Sequence, residues 1–477
     1  MKKLLKRISI SYLPFADAAS DELPLGQLLR LSLFQVSVGM AAVMLLGTLN
    51  RVMIVELQVP AFLVAAMVAL PVLIAPFRAL LGFKSDTYKS AIGWKRIPYL
   101  WFGTLWQFGG LAIMPAALLV LGGEVTQVRY DIPYAGELLA GIAFLMTGLG
   151  MHMTQTAGLA LAADRATDET RPRVVALLYV MLLVGMGASA LVIGYLLRQF
   201  TPIELIQVIQ GTAVLTVVLN VVALWKQERV RPMTRAEREE ETPSFSDAWA
   251  DYASGGTAGR LLAVVFLGTM AFNMQDVLLE PYGGEILGLS VSSTTLLTAT
   301  WAVGALTGFA LAARWLSAGI NPYRMGARGI LAGLAAFSAV IFSNPWNSPE
   351  LFFAGAALIG FGGGLFSVAT LTAAMTMPSA GKAGRGLALG AWGAAQATAA
   401  GISTAIGGGL RDIVNGMANN GQLGEALANP ATGYSVVYHI EILLLFMTLV
   451  ALGPLVRTAT TNSERATGKI GLADLPT

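Results

Sequence analysis

Twelve stretches of mostly apolar residues recur along the chain, each close to the roughly 20 residues that a helix needs to cross a bilayer. In the first half they lie near residues 28–52, 60–80, 98–121, 136–161, 174–197 and 203–225. In the second half they lie near residues 260–280, 292–313, 325–343, 350–376, 385–408 and 434–456. The pattern predicts an all-α membrane protein with about 12 transmembrane helices.

A long charged stretch between the sixth and seventh windows divides the chain into two pseudo-symmetric halves. Arg173 and Arg385 correspond in the two halves, because each opens a glycine-rich window after a charged loop. Two similar six-helix bundles are the ground plan of major-facilitator transporters. The predicted segments are a basic cytoplasmic N-terminal segment at 1–27, bundles at 28–225 and 260–457, a cytoplasmic linker at 226–259 and a cytoplasmic tail at 458–477.

The composition indicates a membrane protein and excludes several kinds of site. Of the 477 residues, 55% are hydrophobic and 12% are charged, which is about half the charged fraction of soluble domains. The chain has no cysteine and two histidines, His152 and His439, which excludes disulfides, thiolate catalysis and metal sites built from several histidines. Walker, Gly-x-Ser-x-Gly and paired metal-ligand signatures are also missing, so we expect no enzyme activity.

The positive charges predict the orientation of the chain. With a cytoplasmic N-terminus, all but four of the 31 Lys and Arg residues fall on the cytoplasmic side, as the positive-inside rule requires. The exceptions are Arg51, Arg129, Arg198 and Arg411. Because the basic residues lie where membrane topology needs them, we expect both termini in the cytoplasm and no nucleic-acid partner.

The loop between the second and third windows resembles the major-facilitator motif of Gly, then Asp, then Gly and two basic residues, with about four extra residues. The matching residues are Gly82, Asp86, Gly93, Lys95 and Arg96. In that superfamily the Asp caps the start of the eleventh helix, whose dipole attracts a negative charge, and latches the two lobes. We therefore expect Asp86 near the turn at Arg385. The alternative is a solvated basic loop.

The fourth window carries His152, Gln155 and Thr156, which share one helix face at spacings of three and four, and Asp164 follows near its end. Polar side chains in lipid are costly and usually face the bundle interior. The imidazole of His152 is a candidate ligand for a metal, including the magnesium of a chlorin. The alternative is a hydrogen bond from His152 to a neighbouring helix.

The seventh window carries Asn273, Gln275, Asp276 and Glu280, of which Asn273, Asp276 and Glu280 form one predicted stripe. By the repeat register Asp276 corresponds to Arg51, which predicts an ion pair near the outer face. Such a pair is mainly structural, because desolvation offsets much of its attraction. The alternative, which the sequence supports equally, is that both groups lie in the headgroup region and are solvated separately.

Other polar residues in the windows have a simpler interpretation. Gln35 and Gln107 line a central cavity or make packing hydrogen bonds, and packing is the expected role of Asn220 and Gln396. His439 and Glu441 open the twelfth window, which predicts an interfacial position for both. The many glycines predict close helix packing in lipid.

Several stretches together resemble one family, the PucC/LhaA or bacteriochlorophyll delivery family of purple phototrophic bacteria. The matching stretches are residues 13–19, 28–40, 47–57, 84–87, 93–99, 155–164 and 275–284. The resemblance covers nearly the whole chain, from about residue 10 to 457. It adds no ligand residue for the pigment, so His152 remains an inference from the residues alone.

The resemblance implies a role in assembling the light-harvesting complexes LH1 or LH2 in the intracytoplasmic inner membrane. The implied partners are the antenna α and β subunits, with the reaction centre or bacteriochlorophyll synthesis enzymes as further candidates. No cofactor is obligatory, and bacteriochlorophyll or a carotenoid is the expected cargo. The alternatives are a proton-coupled secondary transporter of a small or hydrophobic solute and a scaffold that transports nothing.

Overall fold

The computed structural model describes residues 16–20, 23–49, 52–53, 57, 59, 61–122, 134–197, 201–228, 230–234, 239, 243–254, 257–289, 291–377 and 384–466. These residues are mainly helical, and no strand occurs among them. The chain divides into two compact units. The first comprises Met1–Ser254 with Ala374–Gly401, and the second comprises Gly255–Ala373 with Ile402–Thr477.

The N-terminal part of the chain forms a run of helices with two irregular segments. The α-helices are α1 (Leu25–Ala42), α2 (Ala61–Ile74), α3 (Arg78–Asp86), α4 (Ile97–Leu121), α5 (Ala135–Arg165), α6 (Arg171–Leu196), α7 (Pro202–Leu224) and α8 (Phe245–Ser254). A π-helix over Val43–Leu49 continues α1. A 3-10 helix over Ala75–Phe77 joins α2 to α3, where Pro76 lacks the N–H that a regular α-helix would use.

The C-terminal part of the chain is likewise helical. Its helices are α9 (Thr257–Asn273), α10 (Leu279–Glu285), α11 (Val291–Ser317), α12 (Pro322–Ser343), α13 (Pro349–Thr376), α14 (Arg385–Asn419) and α15 (Ala431–Ala466). A 3-10 turn over Met274–Val277 separates α9 from α10. Residues of α14 up to Gly401 belong to the first unit.

Local signals in the sequence account for several helix starts. The Thr201 hydroxyl accepts the Glu204 N–H at 3.2 Å, and Pro202 follows as the first residue of α7. The Asn321 side chain likewise caps α12 by accepting the Tyr323 N–H at 2.8 Å. Such side chains satisfy amides that lack a partner within the helix, and proline tolerates the first helical position.

Ten helices in the described ranges are long and apolar enough to cross a membrane, which makes the chain a multi-pass membrane protein. The predicted windows at 292–313 and 385–408 lie in α11 and α14, which are not among these ten, so the count of 12 is not confirmed. The second span extends to Asp86, beyond the predicted end at residue 80. The predicted loop at 82–96 is therefore helical at its start.

Glycines on α4 and α5 allow these two helices to pack closely, as predicted. A Cβ atom at Gly103 or Gly110 would overlap α5 near Thr154 or Thr147, and one at Gly150 would overlap the backbone of α4. Close backbone approach gains dispersion contacts in lipid, where helices have no hydrophobic drive to associate. This contact holds α5, with its polar residues, against the rest of the first unit.

Candidate functional site

A polar cluster lies inside the first unit, centred on Arg78 at the start of α3. The Arg78 side chain is 1% exposed, although it belongs to an apolar span. Its guanidinium donates to Thr156 Oγ1 at 3.0 Å and to Gln155 Oε1 at 3.0 Å. A third bond, at 3.2 Å, goes to the carbonyl of Gly393 on α14. All three acceptors are uncharged oxygens, so among the described residues this buried cation is hydrogen-bonded to neutral groups.

Gly393 is required for this arrangement, because a Cβ atom there would overlap the Arg78 guanidinium. Arg78 is not among the site residues predicted from the sequence, where it counts with the cytoplasmic positive charges. Its signal was weak, since it lies near the end of the second window beside Pro76. Of the predicted face of His152, Gln155 and Thr156, Arg78 contacts Gln155 and Thr156.

His152 lies one turn before this pair on α5, and its side chain is half-buried. Its Nε2 lies 3.0 Å from the carbonyl oxygen of Pro71 on α2. Because a carbonyl can only accept, Nε2 carries the proton and Nδ1 keeps a free lone pair. In the described part of the chain Nδ1 has no hydrogen-bond partner, and it is not sealed from solvent. The predicted inter-helix hydrogen bond therefore exists and leaves one ring nitrogen open.

The two predicted glutamines have different surroundings. Gln35 is buried and accepts a long hydrogen bond, 3.5 Å, from Gln155, so it adjoins the Arg78 cluster. Gln107 instead donates to the Ser37 carbonyl at 3.0 Å. The Ser37 hydroxyl donates to Asn220 Oδ1, and the Asn220 side-chain amide donates to Thr104 Oγ1. Gln107 is thus part of a buried packing network that joins α1, α4 and α7.

Asp86 occupies the position expected from the loop motif. Its two carboxylate oxygens accept the N–H groups of Gly386 and Leu387, at 2.9 and 2.8 Å, at the start of α14. Asp86 also pairs with Arg96, whose Nε lies 3.0 Å from Asp164. Burial alone would lower the pKa of Arg96, but the charges of Asp164 and Asp86 raise it overall. The carboxylate therefore stabilises both a helix N-terminus and a buried guanidinium.

The remaining predicted charges also have partners, and Arg385 shares Asp164 with Arg96. Arg385 lies 3.6 Å from Asp164, and Arg173 binds Asp17 at 3.1 Å. The Lys95 side chain is exposed, while its backbone N–H donates to Glu228 at 3.2 Å. The same carboxylate accepts the N–H groups of the next two residues and so caps α4. Sequence reasoning missed Glu228 because it lies in the charged linker.

The polar residues of the seventh window lie in the second unit, where the helix is interrupted. Asp276 accepts from Asn273 at 3.0 Å and from Gln275 at 2.6 Å. Glu280 accepts from Thr298 of α11 at 2.6 Å. Two members of the predicted stripe, Asn273 and Asp276, therefore lie together, and the 3-10 turn interrupts the helix between them and Glu280. The predicted partner Arg51 lies outside the described residues.

Glu441 was predicted at the interface, but its side chain is fully buried. It lies almost three turns inside α15, which begins at Ala431. Its neighbour His439 is exposed and bonds the Ser435 carbonyl at 2.7 Å, and the interfacial position of that residue stays a prediction. Like Arg78, Glu441 is a buried ionisable residue in an apolar window, and the hydrophobic pattern did not predict its burial.

A mainly apolar cleft of about 550 Å³ opens on the first unit between α1, α6 and α7. Its lining includes Val36, Met40, Ala188, Val192, Gly211 and Leu215. Several of these residues are small, and Val192 is 56% exposed. The cleft offers a surface on which an apolar helix or chain can pack closely.

Residues 48–460 match a family model described as PUCC protein. Three relatives come from Rhodobacter capsulatus. An "Uncharacterized protein in puhA-bchM intergenic region" is 61% identical, over 100% of this chain and 99% of the relative. "Protein PucC" is 51% identical, over 95% and 97%. "Bacteriochlorophyll synthase 44.5 kDa chain" is 28% identical, over 81% and 88%.

Solved structures of transporters share the fold. A bacterial homologue of the iron transporter ferroportin, in its outward-facing state, aligns with a TM-score of 0.69 and 14% identity, over 89% of this chain and 98% of that chain. The major-facilitator transporter FucP, in its outward conformation, aligns with a TM-score of 0.60 and 15% identity, over 91% and 99%. The predicted major-facilitator-like fold is therefore confirmed.

Proposed function

Because the chain belongs to the PucC family, we propose that it is an assembly factor for the bacterial light-harvesting complexes LH1 or LH2. It delivers bacteriochlorophyll to the antenna α and β subunits, or holds those subunits while they assemble. The task needs no covalent chemistry, so the protein is not an enzyme in this account. It acts in the photosynthetic inner membrane with both termini in the cytoplasm.

The observation that carries the pigment role is the geometry of His152. Histidines that ligate metals usually donate their other ring N–H to a carbonyl or carboxylate, which fixes the tautomer and the ring. The bond from Nε2 to Pro71 has this form and leaves Nδ1 as the atom that would hold the magnesium of a bound bacteriochlorophyll. A single nitrogen suits a chlorin, because the macrocycle supplies the other ligands of its metal. A carotenoid, which has no metal, is the cargo this geometry favours less.

The apolar cleft between α1, α6 and α7 is our proposed contact surface for an antenna subunit. Its small and apolar lining residues suit a partner that is itself a membrane helix. The reaction centre and the enzymes of bacteriochlorophyll synthesis are further proposed partners, because assembly joins pigment supply to complex formation.

The relatives favour a role with a single antenna complex for this chain. Rhodobacter capsulatus has both the puhA-bchM intergenic protein and PucC, at 61% and 51% identity to this chain. Two such relatives in one organism suggest that family members divide the antenna complexes between them. We therefore expect this protein to serve LH1 or LH2 and not both.

The pigment role is tested by purifying the protein from membranes that lack antenna subunits. We expect bacteriochlorophyll to co-purify and His152→Gln to lose most of it. His439→Gln is the matched control, because it changes the other histidine of the chain at an exposed position. Equal pigment in both variants would show that His152 is not the ligand, and absence of pigment from the unmodified protein would refute delivery.

Proton-coupled transport of a solute remains the second candidate function. The observation that favours it is a pair of acids within membrane spans of the second unit, the exposed Asp276 and the buried Glu441. Acids within membrane spans often serve proton relays in transporters. Substrate-dependent proton uptake by proteoliposomes containing the protein would support this function over antenna assembly.

A further inference from the structure

The break in the seventh predicted helix places an irregular backbone segment inside the second unit. Helix α9 ends at Asn273, a 3-10 turn covers Met274–Val277, and α10 begins at Leu279. In membrane proteins, interrupted helices occur where the backbone is buried in protein or lines a cavity, and they commonly mark binding sites. The residues at this break are therefore candidates for a second site, separate from the Arg78 cluster of the first unit.

The interrupted segment carries one carboxylate, that of Asp276, and lies near a second, that of Glu441. Asp276 is exposed to solvent and is oriented by hydrogen bonds from Asn273 and Gln275. Glu441, on α15, interacts electrostatically with Asp276 and is 0% exposed. Neither carboxylate oxygen of Glu441 makes a hydrogen bond of full geometry within the described ranges, and the carboxylate makes a looser polar contact with the backbone of Gln275, next to Asp276.

The other ionisable groups around Glu441 are tyrosines. Tyr438 lies one turn earlier on α15, and its hydroxyl is also buried without a hydrogen-bond partner among the described residues. The Tyr438 ring contacts Tyr282 of α10 at 5.5 Å and Phe337 of α12 at 6.3 Å, and Tyr434 interacts with Tyr438 electrostatically. Arg411 of α14 pairs with Glu285 and Tyr434, so its charge already has a partner.

We propose that Glu441 and Asp276 form a proton-binding site in the second unit, in which Glu441 holds the proton and Asp276 connects it to solvent. A buried carboxylate without a hydrogen bond of full geometry or a cation is strongly disfavoured, and a second negative charge beside it disfavours it further. Binding a proton removes both penalties. A metal ion fits less well, because the described residues contain no group of three His, Asp or Glu side chains able to hold one.

This proposal does not depend on pigment binding. A proton site gives the second unit two charge states, and a change between them alters the polarity beside the broken helix. It is compatible with either candidate function, so its test uses the purified, cargo-free protein.

Infrared spectroscopy tests the site directly, because a protonated carboxylic acid has a carbonyl band that an ionised one lacks. Near neutral pH we expect such a band, a downward shift of it in D2O, and its loss in Glu441→Gln. The matched control is Glu280→Gln, which changes an exposed acid of the same region and leaves the band in place. Survival of the full band in Glu441→Gln would overturn the proposal.

A second measurement keeps the test decisive if Glu441→Gln does not fold. Incorporation of glutamate labelled with 13C at the side-chain carboxyl shifts the band of a protonated glutamic acid and leaves aspartic acid unshifted. We expect the label to shift the band, and sodium or magnesium added to the protein to leave it unchanged. An unshifted band, no band, or a band abolished by either cation would contradict a proton held by Glu441.

Discussion

Removal of the Asp86 carboxylate is the perturbation whose effect the structure allows us to estimate best. The side chain is 12% exposed, and that of Arg96 is 5% exposed. Asp86→Ala removes two hydrogen bonds to the amides of Gly386 and Leu387 and one ion pair to Arg96. We expect the variant to unfold more readily because α14 loses its cap and Arg96 loses one of its two carboxylates.

The magnitude follows from these contacts. Loss of a helix cap costs about 1 kcal/mol. Removal of one partner of a buried ion pair costs about 3–5 kcal/mol. Arg96 keeps Asp164 at 3.0 Å and Ser85 at 2.6 Å, so we assign about half of that amount. The expected loss in the free energy of unfolding is therefore about 3 kcal/mol, and Asp86→Asn, which retains one acceptor oxygen, should lose about half as much.

The assay is equilibrium unfolding by SDS in mixed micelles, followed by circular dichroism. Asp168→Ala is the matched control, because its 2.6 Å pair with Arg171 leaves Asp168 91% exposed. Because Asp168 is exposed, solvent screens its attraction to the buried Arg171, which also keeps the Ala166 carbonyl as an acceptor, so we expect a smaller loss than for Asp86→Ala. If Asp86→Ala and Asp168→Ala destabilise the protein equally, the assignment of Asp86 as a buried cap and ion-pair partner is wrong.

Three further predictions concern the same unit. Gly393→Ala should displace the Arg78 guanidinium and lower the unfolding free energy by about 1–3 kcal/mol, whereas Gly409→Ala on the same helix meets no neighbouring atom and should be neutral or stabilising in the same unfolding assay. The pKa of Arg96 is raised above its ordinary value, so Arg96 stays charged from about pH 6 to about pH 9. The difference in unfolding free energy between the unmodified protein and Asp86→Ala should therefore be constant over this range, and a decline at the alkaline end would contradict this. Gly211→Trp fills the apolar cleft from a position with open space, so it should reduce co-purification of antenna subunits without lowering stability, and full retention of the subunits would exclude the cleft as their contact surface.

The contacts that could be predicted from sequence depend on local physics. His152, Gln155 and Thr156 share a face because helical spacing alone brings them together. Asp86 reaches the start of α14 because a helix N-terminus attracts a negative charge wherever the fold brings the two together. Both predictions needed only short-range patterns and a known preference of helix ends.

Arg78 and Glu441 could not be predicted in this way. The acceptors of Arg78 are supplied by residues 77 to 315 positions away, and no local pattern shows that such oxygens will surround it. Glu441 lies near the edge of an apolar window, where an interfacial position is the simplest expectation. Its burial results from packing around α15. The interruption after α9 does have a local signal that the stripe prediction did not use, because Pro281 has no N–H to donate to the Val277 carbonyl four residues earlier.

The most direct test of the assembly role is the near-infrared absorption of membranes from a phototroph in which the gene for this protein is deleted. We predict selective loss of one antenna band, recovery with the unmodified gene and with His439→Gln, and no recovery with His152→Gln. Antenna bands that are unchanged by the deletion would contradict the assembly role itself.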